Sequence, residues 1–196
     1  MREIELKAHV SDPEAVRRSL SVFMEFQGDF EKRDEYWSVA IAAKAGSGRQ
    51  FSFRLRSEPE RNMVTYKEKT YRDRMEVNEE IEFVLDDRES FLAFLSKMGA
   101  RRLYSKRKKG SLWRGKDGLQ AELVEVEGLG YFLEVEIMMG QSPGQALEEI
   151  REKLTEVLRR CGLEEKSIEG RPYSQPTSAS TSCRTRTCAC WRRTSG

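Results

Sequence analysis

Histidine and cysteine are scarce in this chain of 196 residues, and it has no long apolar run. His9 is the one histidine; three of the four cysteines (Cys183, Cys188 and Cys190) stand near the end, leaving Cys161 alone in the body. Such usage excludes a disulfide framework and fits a reducing compartment. The spacing Cys183-x4-Cys188-x-Cys190 lacks the pairing and the histidine of a zinc site. No stretch approaches the ~20 apolar residues of a membrane span. No signal peptide opens the chain, so the expected location is cytoplasmic, with no membrane partner. An excess of one charge is lacking too. The net charge is +2, and the four arginines beyond Pro176 leave about −2 on residues 1–175. A globally basic nucleic-acid binder is therefore not expected.

What is abundant is charge as such. Charged residues make up 35% of the chain and hydrophobic ones 38%, with a mean hydropathy of −0.70. Disordered chains have such compositions, but the apolar periodicity here belongs to a folded one. At this length one domain buries a real core. The charge must then be placed somewhere, and a charge-lined cavity is one answer. In Met1 to Val10 the apolar Ile4, Leu6, Ala8 and Val10 alternate with Glu3, Glu5, Lys7 and His9. On a strand this makes one apolar face and one charged face. Phe132 to Ile137 repeats the device with Glu134 and Glu136. The strands between carry mostly Arg and Lys. Acidic strands among basic ones suggest a divalent cation beside a polyanion.

In chain order, Ser11-Asp12-Pro13-Glu14 starts a helix expected to run to about Phe26. A loop with Gly28 leads to Lys32–Trp37, then Val39 and Ile41 in a strand, and Gly46-Ser47-Gly48 is a turn. Arg49–Arg56, Met63–Lys69 and Val77–Val84 read as strands in hairpin order. Arg54 and Arg56, then Thr65, Lys67 and Lys69, then Glu80 and Glu82, each share one face. Asp86-Asp87 caps a second helix bearing Phe91, Phe94, Leu95 and Met98, stopped by Gly99. Tyr104–Trp113 is a basic strand, and Leu119–Glu127 with Tyr131–Met139 forms a last hairpin around Gly128-Leu129-Gly130. A third helix spans Gln141 to Arg160, with Leu147, Ile150, Leu154 and Leu158 as its packing stripe. The sum is an α+β, mainly antiparallel fold of about eight strands and three helices. A closed barrel removes its edges, and an inward polar face needs both signs of charge.

Glu3-x-Glu5-x-Lys7 resembles the ExExK signature of the CYTH superfamily, the triphosphate tunnel metalloenzymes. The ordered set strengthens the resemblance: Arg54-x-Arg56, Lys67-x-Lys69, Glu80-x-Glu82, the basic strand at Lys106, Gly128-Leu129-Gly130 and Glu134-x-Glu136. It covers roughly residues 1–175, taken as the domain, and is closest to the class IV adenylyl-cyclase-like branch. It implies an eight-stranded closed barrel forming a tunnel, with Glu3, Glu5, Glu134 and Glu136 binding Mg²⁺ or Mn²⁺ through hard oxygen donors. Lys7, Arg54, Arg56, Lys67, Lys69, Lys106 and Lys108 would grip a nucleoside triphosphate or other triphosphate. Glu80 and Glu82 would orient those cations or assist the metal. In the triphosphatase branch a Tyr with a Lys on a later strand is thought to help activate water, which here would be Tyr36 with Lys67. The implied reaction is conversion of ATP to cyclic AMP and pyrophosphate. The alternatives are a thiamine or inorganic triphosphatase and a non-catalytic polyphosphate or nucleotide binder; a homodimer is left open.

Three departures stand out. Val124 occupies a place where relatives often have Asp, and Asn78 one where an Arg is common. After Pro172-Tyr173-Ser174, residues 176–196 lack periodicity and read as out-of-frame translation, or else as a disordered extension.

Overall fold

Alternation governs the architecture. In the computed structural model, which describes residues 2–41, 49–72, 74–116, 118–139, 147–170 and 173, eight strands close into one antiparallel barrel. They are β1 (Arg2–Val10), β2 (Glu25–Ile41), β3 (Arg49–Ser57), β4 (Asn62–Arg72), β5 (Met75–Leu85), β6 (Arg101–Arg114), β7 (Leu119–Val126) and β8 (Gly130–Met139). Around the barrel the order is β1-β5-β4-β3-β2-β6-β7-β8. The helices are α1 (Pro13–Phe23), α2 (Arg88–Lys97) and α3 (Leu147–Arg160). None of the described helices is long and apolar enough to cross a membrane. The expected turn at Gly46-Ser47-Gly48, the expected start of the third helix at Gln141 and the tail lie outside the described residues.

The apolar core lies on the outside of the barrel wall. Ile4, Leu6, Ala8 and Val10 of β1 meet Leu20 of α1 and Ile150, Leu154 and Leu158 of α3. Phe53, Leu55 and Val64 meet Leu95 of α2. The stripe expected on α3 is thus the packed one. On α2 the packed side is Phe91, Leu92 and Leu95, whereas Phe94 and Met98 are 56% and 49% exposed. A helix this short rests only one narrow face on a curved wall, and those two residues fall outside it. Asp12 and Asp87 cap α1 and α2, accepting from the amides of Ala15 and Ser90; such caps satisfy amides that the first helical turn leaves without partners.

Two boundaries differ from the sequence expectation, for one reason. α1 stops at Phe23, and Glu25 already pairs with Arg114 of β6. The expected loop at Gly28 is strand: β2 is continuous over 17 residues, with a register irregularity between Phe26 and Gly28 and Gly28 at φ 130°. β6 pairs with β2 from Glu25 onward, and β3 joins on the other side from Arg33. Such pairing gives a charged run a ladder that its local pattern does not reveal.

Gly110 of β6 sits so close to β7 that a Cβ would fall on the Leu123 carbonyl oxygen and 2.9 Å from the Val124 Cα. Backbone cannot yield as a flexible side chain can. Gly110→Ala is expected to destabilise the fold by about 1–3 kcal/mol, read as a lower denaturation midpoint with an unchanged slope.

Candidate active site

Inside the wall the alternation places charge. A cavity of about 1000 Å³ takes in the lumen and reaches the α1 side of its rim; among its lining residues are Glu3, Glu5, Arg54, Lys67, Glu134 and Glu136. Strand register explains the meeting of the acids: Glu5 of β1 lies opposite Glu136 of β8, and Lys7 opposite Glu134. One oxygen from each of Glu3, Glu5 and Glu136 lies within 4.8 Å of the other two. Three hard oxygen donors at this spacing suit a divalent cation such as Mg²⁺.

The electrostatics agree with that fit. Burial first, then Glu134, Glu76 and Glu3, push Glu5 up to about 8. Burial and then Glu80 push Glu3 up to about 7. Glu136 is raised well above the usual range by burial and by Glu3, Glu122 and Glu5, although Gln120 donates to it at 2.5 Å. Too many carboxylates share too little water here, and a cation would relieve their repulsion.

Elsewhere in the lumen each carboxylate has a basic partner. Lys67 bridges Glu3, at 2.9 Å, and Glu80; burial alone would lower its pKa, but Glu3, Glu5 and Glu80 raise it. Arg54 faces Glu82 at 3.6 Å and donates to Thr65, which donates to Glu82. Lys69 donates to Glu76 at 2.5 Å. Lys108 donates to both oxygens of Glu134, at 2.8 and 2.9 Å, and the Tyr173 phenol donates to Glu134 at 2.5 Å. Burial opposes ionisation of Glu134, yet Lys108, Tyr173 and Lys7 hold it down at about 2. The structure therefore brings Glu3, Glu5 and Glu136 together and sets Glu134 among lysines. Tyr36 stacks on Tyr104 at 4.5 Å, with the Lys106 ammonium 5.9 Å from its ring, while Lys67 engages Glu3 and Glu80. His9 stands exposed, 3.5 Å from Glu169.

Several inward residues carry no mark in a strand-by-strand reading. Asp34 accepts two bonds from Arg56, at 2.7 and 2.8 Å, with its side chain fully buried. Lys32 donates to Glu122 at 2.5 Å. Lys32 and Asp34 stand in a charged run whose local pattern does not mark a strand; Gln120 and Glu122 show only as an alternation with Ala121 and Leu123. Asn78 is buried and donates to Glu76 at 2.9 Å. Val124 is fully buried, against Val126 and Phe132 and facing Phe30, Leu129 and Tyr173, in an apolar cluster beside the β7–β8 turn.

Two expectations follow. Asp34→Ala leaves Arg56 charged and buried without its partner, which should cost about 3–5 kcal/mol in a denaturant titration. Burial opposes ionisation of Asp34, but Arg56 holds it at about 2. Its contribution is therefore present above the ordinary carboxyl range and lost as pH falls through about 2. Glu3 and Glu5 have the opposite sign: their raised values stabilise the metal-free fold below the ordinary carboxyl range, and that support disappears as pH rises through about 7 to 8. Protons and cation compete for these oxygens. The gain in melting temperature from Mg²⁺ or Mn²⁺ should accordingly be larger at pH 8.5 than at pH 6, with the metal-free protein the less stable at the higher pH.

Comparison with known proteins agrees with this geometry. A protein of Methanocaldococcus jannaschii named "Putative adenylate cyclase MJ0240" is 27% identical over 180 residues, 88% of this chain and 97% of its own. The solved PH1012 protein of Pyrococcus horikoshii is 26% identical, with a TM-score of 0.71 over 87% of this chain and 96% of its own. A conserved hypothetical protein of Pyrococcus furiosus has a TM-score of 0.70 at 26% identity, over 87% and 97% of the two chains. The model of the CYTH domain matches residues 1–173. A closed eight-stranded antiparallel barrel, a charge-lined lumen and that match together establish that this chain belongs to the CYTH family.

Proposed function

We propose that this chain is a divalent-metal-dependent enzyme acting on a triphosphate, and that its reaction is cyclisation of ATP to cyclic AMP with release of pyrophosphate. The observation that carries the reading is the division of the lumen into two poles. At one, Glu3, Glu5 and Glu136 converge; at the other, Lys7, Lys106 and Lys108 converge around Tyr173. A metal–triphosphate complex has the matching polarity.

The residues divide the work. Glu3, Glu5 and Glu136 would hold the cation, Mg²⁺ or Mn²⁺. Once bound, it would neutralise phosphate charge and favour attack at phosphorus. Lys7, Lys106 and Lys108, with Arg54 and Arg56, would grip the phosphate oxygens. Arg56 is already oriented by Asp34, and such preset donors stabilise developing charge without reorganising during reaction. Lys67 sets Glu3 through their ion pair. In cyclisation the ribose 3′-oxygen bonds to the α-phosphorus, the bond from that phosphorus to the bridging oxygen breaks, and the hydroxyl proton is lost. Positioning and charge stabilisation account for most catalysis of this kind.

Cyclisation is preferred to hydrolysis on two grounds. The Methanocaldococcus relative carries a cyclase name, and Tyr36 with Lys67, the pair a water-activating mechanism would use, have separate partners in this lumen. The test is product analysis with Mg²⁺ or Mn²⁺ and, separately, ATP, thiamine triphosphate and inorganic triphosphate. Cyclic AMP with pyrophosphate is the expected outcome; orthophosphate without a cyclic nucleotide would move the chain to hydrolysis, and binding without product to a non-catalytic role. Glu5→Gln should lower turnover by at least about 100-fold while the barrel stays folded; full activity in that variant would remove the metal assignment.

A further inference from the structure

Tyr173 reaches the lumen from beyond the eight strands. Its segment is fastened to the β1 side by the Ala8–Ile168 bridge, by the Glu169 amide donating to the Lys7 carbonyl at 2.7 Å, and by Arg74 on the Glu165 and Ile168 carbonyls. The ring meets Phe132 edge-on at 4.9 Å and packs on the apolar cluster that contains Val124. The ammonium groups of Lys7, Lys106 and Lys108 stand 4.2, 4.6 and 4.8 Å from the ring centroid.

Three ammonium groups gathered at one point repel one another, and long lysine side chains left to themselves spread into water. The negative face of an aromatic ring attracts each of them, more strongly where water is excluded. Glu134 neutralises Lys108 from the side and accepts from the Tyr173 hydroxyl, which also fixes the ring's orientation. We propose that Tyr173 is a positioning residue whose ring holds Lys7, Lys106 and Lys108 converged before substrate arrives, so that the triphosphate meets a preorganised lysine cluster. The inference rests on the triphosphate reading and adds a residue outside the strands that carry the charged motifs. Ordering the lysines in advance removes part of the entropy that binding would otherwise lose. Val124 belongs to the same device: an apolar floor seats the ring, where a carboxylate would draw the lysines away from it.

The test compares the full-length wild type with Tyr173→Phe, Tyr173→Leu and Tyr173→Ala. Affinity for inorganic triphosphate with Mg²⁺ is measured by calorimetry, and KM and kcat with the substrate that turns over. Phe keeps the ring and should bind within about twofold of wild type. Leu and Ala remove it and should bind about tenfold more weakly, with the loss in KM rather than kcat. Should the Ala variant fail to fold, Phe against Leu decides. Wild-type affinity in Tyr173→Leu would overturn the inference, and so would equal losses in Phe and Leu, which would place the effect on the hydroxyl. If the wild type itself does not bind triphosphate, the functional proposal falls and takes this one with it.

Discussion

Charges of opposite sign neutralise one another inside the barrel, and everything else depends on that balance. The pairs are assembled from different strands: Arg56 of β3 with Asp34 of β2, Lys32 of β2 with Glu122 of β7, and Lys108 of β6 with Glu134 of β8. Removing ions from water is expensive, and buried pairs at best roughly offset that loss. Such a lumen stabilises little by itself. What it does is keep a wide polar cavity open in the middle of a small domain and fix where each charge points.

Stability has to come from elsewhere, and the outer face of the same strands supplies it. Each residue step on β1 serves one of two tasks: Ile4, Leu6 and Ala8 bury under α1 and α3, while Glu3, Glu5 and Lys7 face the lumen. A slip of one residue in register would exchange the two faces completely. The outer apolar core therefore enforces the inner electrostatics. The helices pack on the outer apolar face of the wall, and in doing so they hold the strand register that creates the acidic cluster.

The balance is uneven along the lumen, and the unevenness gives the site its character. Acids prevail where β1 and β8 run side by side at Glu5 and Glu136, so protonation or a cation is favoured there. Cations prevail around Tyr173, where burial and then Lys108 and Lys7 lower Lys106 to about 7. An aromatic ring takes the place there that a carboxylate could fill. Val124 and Asn78 fit this distribution: one extends the apolar floor, the other steadies Glu76 by a neutral hydrogen bond.

Much of this was legible in the sequence. Period-two alternation in Glu3–Lys7, Arg54–Arg56, Lys67–Lys69 and Glu134–Glu136 determined which side chains share a face, because successive strand residues must point to opposite sides. The resemblance to the CYTH superfamily rested on those same residues in order. The tertiary structure alone decided who meets whom. Register across strands set Glu134 beside Lys7 and Lys108, joined Asp34 to Arg56, and made strand of the run through Gly28. Closure of the barrel brought Tyr173, remote in sequence from every charged motif, into the centre of three lysines. Alternation is a property of neighbours along the chain, whereas pairing and charge balance belong to residues that only folding makes neighbours.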